Sequence, residues 1–201
     1  VEAVDGVDEV RPVVYRAGIV KNEENIHGVL FKGVHREDTV SLGVSIPRRL
    51  AEIGNLKPGD RMLTYFVGGK VKMRQFLVTS VYDAMLETDD KLVVYASLDD
   101  MQRLNGWNET QVSGVEILLD PALRNKADLQ DISYQIGSVA YENSREEDET
   151  VYASSVLSRY PQLFDWLDLI DFNVLFILML MTIVAGFNMI SGLLIMLFEN
   201  I

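Results

Sequence analysis

The sequence predicts an α+β fold followed by one membrane-crossing helix. Three observations predict it. Short β-rich runs alternate with turn residues, as at Lys57-Pro58-Gly59-Asp60 and Gly68-Gly69. Short helical patterns lie between them, opened by serine or proline and closed by glycine. From Phe172 to Phe198 the chain carries no Asp, Glu, Lys or Arg.

Taken in order, Val1, Val4 and Val7 recur at helical spacing, so Val1 to Arg11 reads as the end of a short amphipathic helix. Pro12 then holds Arg11 extended. Val13-Val14-Tyr15 and Ala17 to Ile19 read as strand, Asn22 to Asn25 as a polar turn, and His27 to Val34 as a second strand before the charged loop His35 to Thr39. Ser45-Ile46-Pro47 opens a helix, with Ser45 or Ile46 at the cap and Pro47 where a missing N–H does no harm. Leu50, Ala51 and Ile53 face inward, and Gly54 closes that helix in the left-handed conformation. Lys57 to Asp60 is a turn of type II order. Arg61 to Val67 and Lys70 to Val81 form a hairpin across Gly68-Gly69. Leu92 to Ala96 is a strand. Ser97 caps the helix Leu98 to Leu104, with Asp99 and Asp100 in the first turn, and Asn105-Gly106 ends it. Val115 to Leu119 is a strand broken by Asp120-Pro121. Leu129, Ile132 and Ile136 share one face of a helix from Ala127 to Ile136, with Gly137 past its end. Ser144 to Thr150 is a solvated loop.

Pro161 starts the final helix. Leu163, Phe164, Leu167 and Ile170 form a stripe opposite Asp165 and Asp168, and the pattern runs without a breaker into the apolar segment. The helix is therefore expected to leave the membrane as a continuous stalk. Phe172 to Phe198 as a helix is about 40 Å long, against about 30 Å of bilayer hydrocarbon. Sixteen of its residues are Leu, Ile, Val or Phe. They favour insertion by about 5–10 kcal/mol, against which Asn173 and Asn188 weigh.

The net charge is −12, and only Glu199 is charged beyond Asp171. The acidity belongs to the part before the span and argues against nucleic acid as a partner. No cysteine is present, which excludes disulfides, thiolate metal sites and Cys nucleophiles. No Lys or Arg follows Arg159, and Asp165, Asp168 and Asp171 flank the span, an arrangement expected outside the cytoplasm. Val1 is not a start methionine and Glu199-Asn200-Ile201 follows directly on the span, so the sequence reads as a piece of a longer protein.

Candidate chemistry is sparse. Asp89-Asp90 and Asp99-Asp100 pair carboxylates, but at a turn and a helix start, where capping accounts for them. His27 and His35 stand eight apart with no ligand partners at metal spacing. No serine lies in a G-x-S-x-G context, and no G-x-x-x-x-G-K-[ST] is present. No catalytic or metal-binding residue is expected, and any nucleotide is expected on another chain. Within the span, Thr182, Asn188 and Ser191 are polar at membrane depth and are expected to face other helices or a cavity. Gly186 and Gly192 are expected to allow close helix contact.

The run Val184-Ala185-Gly186-Phe187-Asn188-Met189-Ile190-Ser191-Gly192-Leu193-Leu194, ending in Glu199, resembles the second transmembrane helix of the Lol-type lipoprotein-releasing permeases, members of the FtsX/MacB superfamily of ABC transporters. Further pieces resemble that family in order: Gly28 to Val34, Ile46 to Asp60, Gln75 to Val78, Tyr95 to Leu104, Ser113 to Leu119 and Ser158 to Leu167. The resemblance implies a MacB-like periplasmic domain. A porter-like α/β lobe would comprise residues 1–17 and 112–160, and a mostly-β lobe residues 18–111. A stalk over 161–171 and the second of four transmembrane helices over 172–198 would follow. It also implies the bacterial inner membrane, with the soluble domain in the periplasm. Expected partners are a cytoplasmic ABC ATPase subunit that binds ATP and Mg, a second permease subunit in a homo- or heterodimer, a lipoprotein and a periplasmic carrier. Val174, Leu175, Phe176 and Met179 would line the cavity that holds acyl chains. The run Phe66 to Val71 is too short for the hook of the carrier-recruiting Lol subunit. That departure points to the partner-type subunit, or to a member in which one gene serves both roles. Two readings stay beside lipoprotein release: a mechanotransmitter driving efflux or a cell-wall hydrolase, and a single-span membrane-tethered sensor or scaffold.

Overall fold

The computed structural model describes residues 4–21, 26–35, 40–67, 71–84, 92–123, 126–144 and 151–199. The chain divides into two compact units, Val1–Leu123 and Arg124–Ile201. The first is built on seven strands: β1 (Val7–Lys21), β2 (Ile26–Val34), β3 (Gly43–Pro47), β4 (Arg61–Phe66), β5 (Lys72–Tyr82), β6 (Leu92–Ser97) and β7 (Gly114–Leu119). Two helices join it, α1 (Arg48–Gly54) after β3 and α2 (Leu98–Asn105) after β6.

The sheet order is β2-β6-β3-β5-β4-β1-β7, and an additional β1–β2 pairing closes six of the strands into a barrel. Closure removes the unpaired edges that an open sheet would expose. The pairs β2–β6 and β3–β5 are parallel and the rest antiparallel. Strand β1 serves two structures. Its first half, Val7 to Val13, pairs with β7, and its second half, Val14 to Lys21, pairs with β2.

Inward positions alternate along β4 as Met62, Thr64 and Phe66, and along β5 as Phe76 and Val78, in the period-two pattern of a strand with one buried face. Phe31, Phe66 and Phe76 meet inside the barrel, with ring centroids 4.9 to 6.0 Å apart. Each such contact adds about 0.5–1.5 kcal/mol beyond the burial of area. The rings need a gap in β1, which Gly18 supplies: a Cβ there would lie 2.9 Å from Thr64 Cγ2 and 3.1 Å from Phe66. Leu98, Met101 and Leu104 of α2 and Leu50 of α1 complete the core.

The hairpin β4–β5, the strands β2, β6 and β7, and the helix after Ser97 form as the sequence predicts. Asp60 N–H donates to Lys57 at 3.0 Å, and Gly59 has φ +99°, as a type II turn requires. Five expectations are corrected. From Val7 onward the expected N-terminal helix is strand, because the ladder to β7 overrides the helical valine spacing of this short segment. Arg16 is inside β1, so Val13 to Ile19 is one strand rather than two pieces. Ser45 and Ile46 belong to β3, and Pro47 occupies the cap of α1 without a side-chain bond. Gly54 ends α1 in helical conformation and Asn55, at φ +47°, takes the left-handed position. Ser97 caps α2 by position, with no hydrogen bond from its side chain. The expected features at Asn22 to Asn25, Gly68-Gly69 and Asp89-Asp90, and most of the two charged loops, lie outside the described residues.

The second unit contains α3 (Lys126–Ser144), α4 (Val156–Arg159) and α5 (Pro161–Glu199). Helix α3 does not stop at Gly137, as its pattern predicts, but runs seven residues further. One interior glycine costs only about 1 kcal/mol, too little by itself to end a helix. Ser155 caps α4, accepting from Ser158 N–H at 3.2 Å. Helix α5 is unbroken for 39 residues, about 58 Å.

Candidate functional site

Helix α5 carries every site residue read from the span, and no residue in it is buried. It is long and apolar enough to cross a membrane. At about 100° per residue the positions divide between two faces. Leu175, Met179, Thr182 and Gly186 share one face, with Phe176 at its margin. Asn188, Ser191 and Gly192 share the opposite face, and Val174 falls on that side. The helix therefore brings Asn188 together with Ser191 and Gly192 but separates them from Thr182 and Gly186.

The polar groups of the span are satisfied unequally. Thr182 Oγ1 donates to Leu178 C=O and Ser191 Oγ to Phe187 C=O, each at 2.8 Å. Both hydroxyls thus cost little in an apolar surround. The Asn188 amide has no hydrogen-bond partner among the described residues. In hydrocarbon that leaves two donors and an acceptor unmet, and a second polar surface must supply what the helix does not.

Below the apolar segment, Lys126 Nζ at the start of α3 bonds Asp168 Oδ2 on α5 at 2.5 Å. The hydrogen bond that Lys126 donates to Asp168 raises the Lys126 pKa, with the charges of Asp168 and Asp165 adding to it. Lys126 therefore stays charged at neutral pH, and the stability tied to its raised pKa is lost as pH rises through that raised value.

The first unit holds a feature that sequence reasoning missed. A solvent-open groove follows β4, β5 and the end of α2. Its narrower part, about 190 Å³, is lined by Leu42, Phe76 and Leu104 with Arg74, Asp100 and Arg103. Its wider part, about 740 Å³, continues past Leu63, Met73 and Gln75 to Arg61. Asp100 is 7% exposed, and its two oxygens are committed: Oδ2 accepts from Leu42 N–H at 2.8 Å, and Oδ1 faces Arg103 at 3.5 Å. Leu42 stands at φ +57°, a left-handed conformation that costs a side-chain-bearing residue about 1–2 kcal/mol. Asp100 and the Leu77 N–H, which donates to Leu42 C=O at 2.9 Å, hold it there. Among the described residues, Arg61 bonds Gln75 at 3.4 Å and Arg74 bonds the Met73 carbonyl at 3.0 Å. Neither has a carboxylate partner among the described residues. The arginines are thirteen apart in sequence, and the hairpin register Thr64↔Arg74 and Arg61↔Leu77 sets them three pairs apart along the strands. A signal did exist in the strand alternation on either side of Gly68-Gly69.

Asp99 and Asp100 do not act as a pair, since Asp99 is exposed while Asp100 is buried against Leu42. His27 Nε2 and Thr64 Oγ1 are buried without a hydrogen-bond partner among the described residues. Among the described residues no group of three or more His, Cys, Asp or Glu is placed to hold a metal ion.

No family model and no curated protein matches the chain. Among solved structures it is similar to the extracellular domain of the ABC-type transporter YknZ from Gram-positive bacteria. The identity is 15% and the TM-score 0.46, over 76% of this chain and 82% of that one. It is also similar to the periplasmic region of MacB from Actinobacillus actinomycetemcomitans, at 11% identity and TM-score 0.42, over 69% of this chain and 70% of that one.

Proposed function

We propose that this chain belongs to a non-catalytic permease subunit of an ABC transporter, with α5 crossing the bacterial inner membrane and the strand-rich unit outside the cytoplasm. ATP and Mg are bound by a partner ATPase, a second permease subunit completes the transporter, and the work done is release of a lipoprotein to a carrier. The observation that carries this reading is α5 itself, which passes from an acidic, half-polar start at Pro161 through the apolar segment without a break. A single helix about 58 Å long transmits a displacement of its membrane end to its outer end with little loss. The ordered resemblance of Gly28 to Val34, Gln75 to Val78 and Phe187 to Ser191 to the FtsX/MacB superfamily supports it. Leu175, Phe176 and Met179 would take the acyl chains, where the soft thioether adapts to variable shapes. Asn188, Ser191 and Gly192 would meet a neighbouring helix.

The test is the full-length protein co-purified with its ATPase and reconstituted into proteoliposomes with a lipidated substrate and carrier. ATP-dependent release is expected, and its absence would end the lipoprotein reading. The short connection between β4 and β5 favours a second reading, a mechanotransmitter that acts on a pump or hydrolase outside the membrane. A pull-down that returns such a partner, with no release activity, would establish it.

A further inference from the structure

The β4–β5 hairpin has an outer face whose polarity runs the wrong way for water. Met62, Thr64, Phe66 and Phe76 point into the barrel, so the pairs Arg61↔Leu77, Leu63↔Gln75 and Tyr65↔Met73 point out of it. Val67 and Val71 continue that outer face towards the turn. The polar members, Arg61 and Gln75, stand towards the base, and the end of the face is apolar. Val67 and Val71 are each 66% exposed and Met73 55%. The end also projects. Among the described residues β3 pairs with β5 from Leu77 onward, and β1 reaches along β4 as far as Tyr65.

Charge is concentrated on the same hairpin. Between Arg61 and Tyr82 the sequence holds four Lys or Arg and no Asp or Glu, in a chain of net charge −12. Lys72 and Arg74 alternate with Met73 and so take the face opposite to it. Lys72 Nζ donates to Leu104 C=O at 2.9 Å and Arg74 to Met73 C=O at 3.0 Å, contacts with neutral carbonyls that leave both charges in place.

We propose that the outer end of this hairpin dips into an anionic lipid surface, with Val67 and Val71 at the acyl boundary and Lys72 and Arg74 among the headgroup phosphates. Depth carries the choice. Arg74 lies three residues, about 10 Å, behind Val71, and interfacial segments sink their apolar groups about 5–10 Å. Tyr65, two positions inward from Val67, stands at the level where aromatic rings collect at a membrane boundary. A protein partner would read one face of the hairpin. Here the two faces differ, and what they share is an order along the hairpin axis, apolar first and cationic behind, as a bilayer is ordered. On an acidic protein this acid-free hairpin is also the part that anionic headgroups attract. The inference adds a membrane contact to the one made by α5 and rests on no transport activity.

The experiment uses the full chain in lipid nanodiscs of phosphatidylcholine with or without phosphatidylglycerol. The chain has no cysteine, so Val71→Cys carries a single environment-sensitive nitrobenzoxadiazole dye. Lys57→Cys, in the turn at the other end of the hairpin, and Leu178→Cys, in the apolar segment of α5, carry the same dye as references. With phosphatidylglycerol present, the dye at 71 is expected to shift to the blue and to be quenched by doxyl lipid, and the dye at 57 to stay in water. Arg74→Gln should lower the inserted-to-free ratio about fivefold, as should leaving out phosphatidylglycerol. Val71 and Arg74 are exposed, and an unchanged circular dichroism spectrum certifies the fold of each variant. A dye at 71 that behaves like the one at 57 while the dye at 178 is quenched would overturn the proposal and leave the span standing. Quenching at 71 without quenching at 178 would sustain the proposal and end the span. A blue shift at 71 that doxyl lipid does not quench would place the hairpin against protein and overturn the proposal, and so would insertion indifferent to phosphatidylglycerol.

Discussion

The barrel and the long helix use the same residues in opposite ways. Phe31, Phe66 and Phe76 are 0–1% exposed, whereas Phe176, Phe187 and Phe198 are 56–74% exposed. Both segments are rich in Leu, Ile and Val. In the barrel the apolar side is chosen by strand alternation, and polar residues take the outside. In α5 no side is chosen, and residues from Phe172 onward are apolar all round. An amphipathic element needs water on one face, and an element apolar on every face needs a solvent that is itself apolar. The two parts are thus built for two solvents, and substitutions should reveal which is which.

The largest contrast is expected from removing a ring. Phe76→Ala should cost the first unit about 3–5 kcal/mol in denaturant unfolding, by lost burial and the cavity left behind. Phe187→Ala should leave that transition within about 0.5 kcal/mol. Equal effects would mean that α5 is packed as a core helix. Next in size, Ile183→Arg should oppose membrane insertion by about 2.5–3.5 kcal/mol, read from the membrane-integrated fraction in a translocation assay. Full integration of that variant would remove the case for a span.

Much of this contrast was legible in the sequence, for different reasons in the two parts. An apolar segment long enough to cross a membrane is a matter of composition, and Phe172 to Phe198 is legible as one without knowledge of any contact. The Pro58-Gly59 turn and the β4–β5 hairpin are local as well. Barrel closure is not. It depends on Val14 to Lys21 pairing with Ile26 to Gly33 while the same strand reaches β7 a hundred residues away, and no residue pattern announces both. The misread helix at Val7 has the same origin, because only the ladder to Leu119 and Ile117 selects the strand. In the span, Asn188 and Ser191 could be named from polarity alone. The groove could not, since Arg61, Arg74 and Arg103 are assembled by register and by the end of α2.

Two smaller tests sharpen the comparison inside the barrel. Asp100→Ala should cost about 1–3 kcal/mol, because Leu42 N–H would lose its acceptor while the backbone stays in its strained conformation. Thr64→Val should act in the opposite direction, raising stability by about 1 kcal/mol in the same assay. It replaces an unpartnered buried hydroxyl by a methyl of equal size. A loss would show that the hydroxyl has a partner, such as a buried water. The smallest effect is a pH dependence. The hydrogen bond from Arg48 holds the Asp83 pKa below its usual value, with the Arg48 charge adding to it. Its contribution is complete above the unfolded carboxylate range and disappears as pH falls through the lowered folded value. Asp83→Asn should therefore leave acid unfolding slightly less steep, with little change at neutral pH.

Strand β1 runs through the barrel wall and on into the β7 ribbon as one uninterrupted piece of 15 residues. Two substructures that share a beam have no joint between them. A displacement of the ribbon is passed along one continuous backbone to the strands beside β1 in the barrel, β2 and β4.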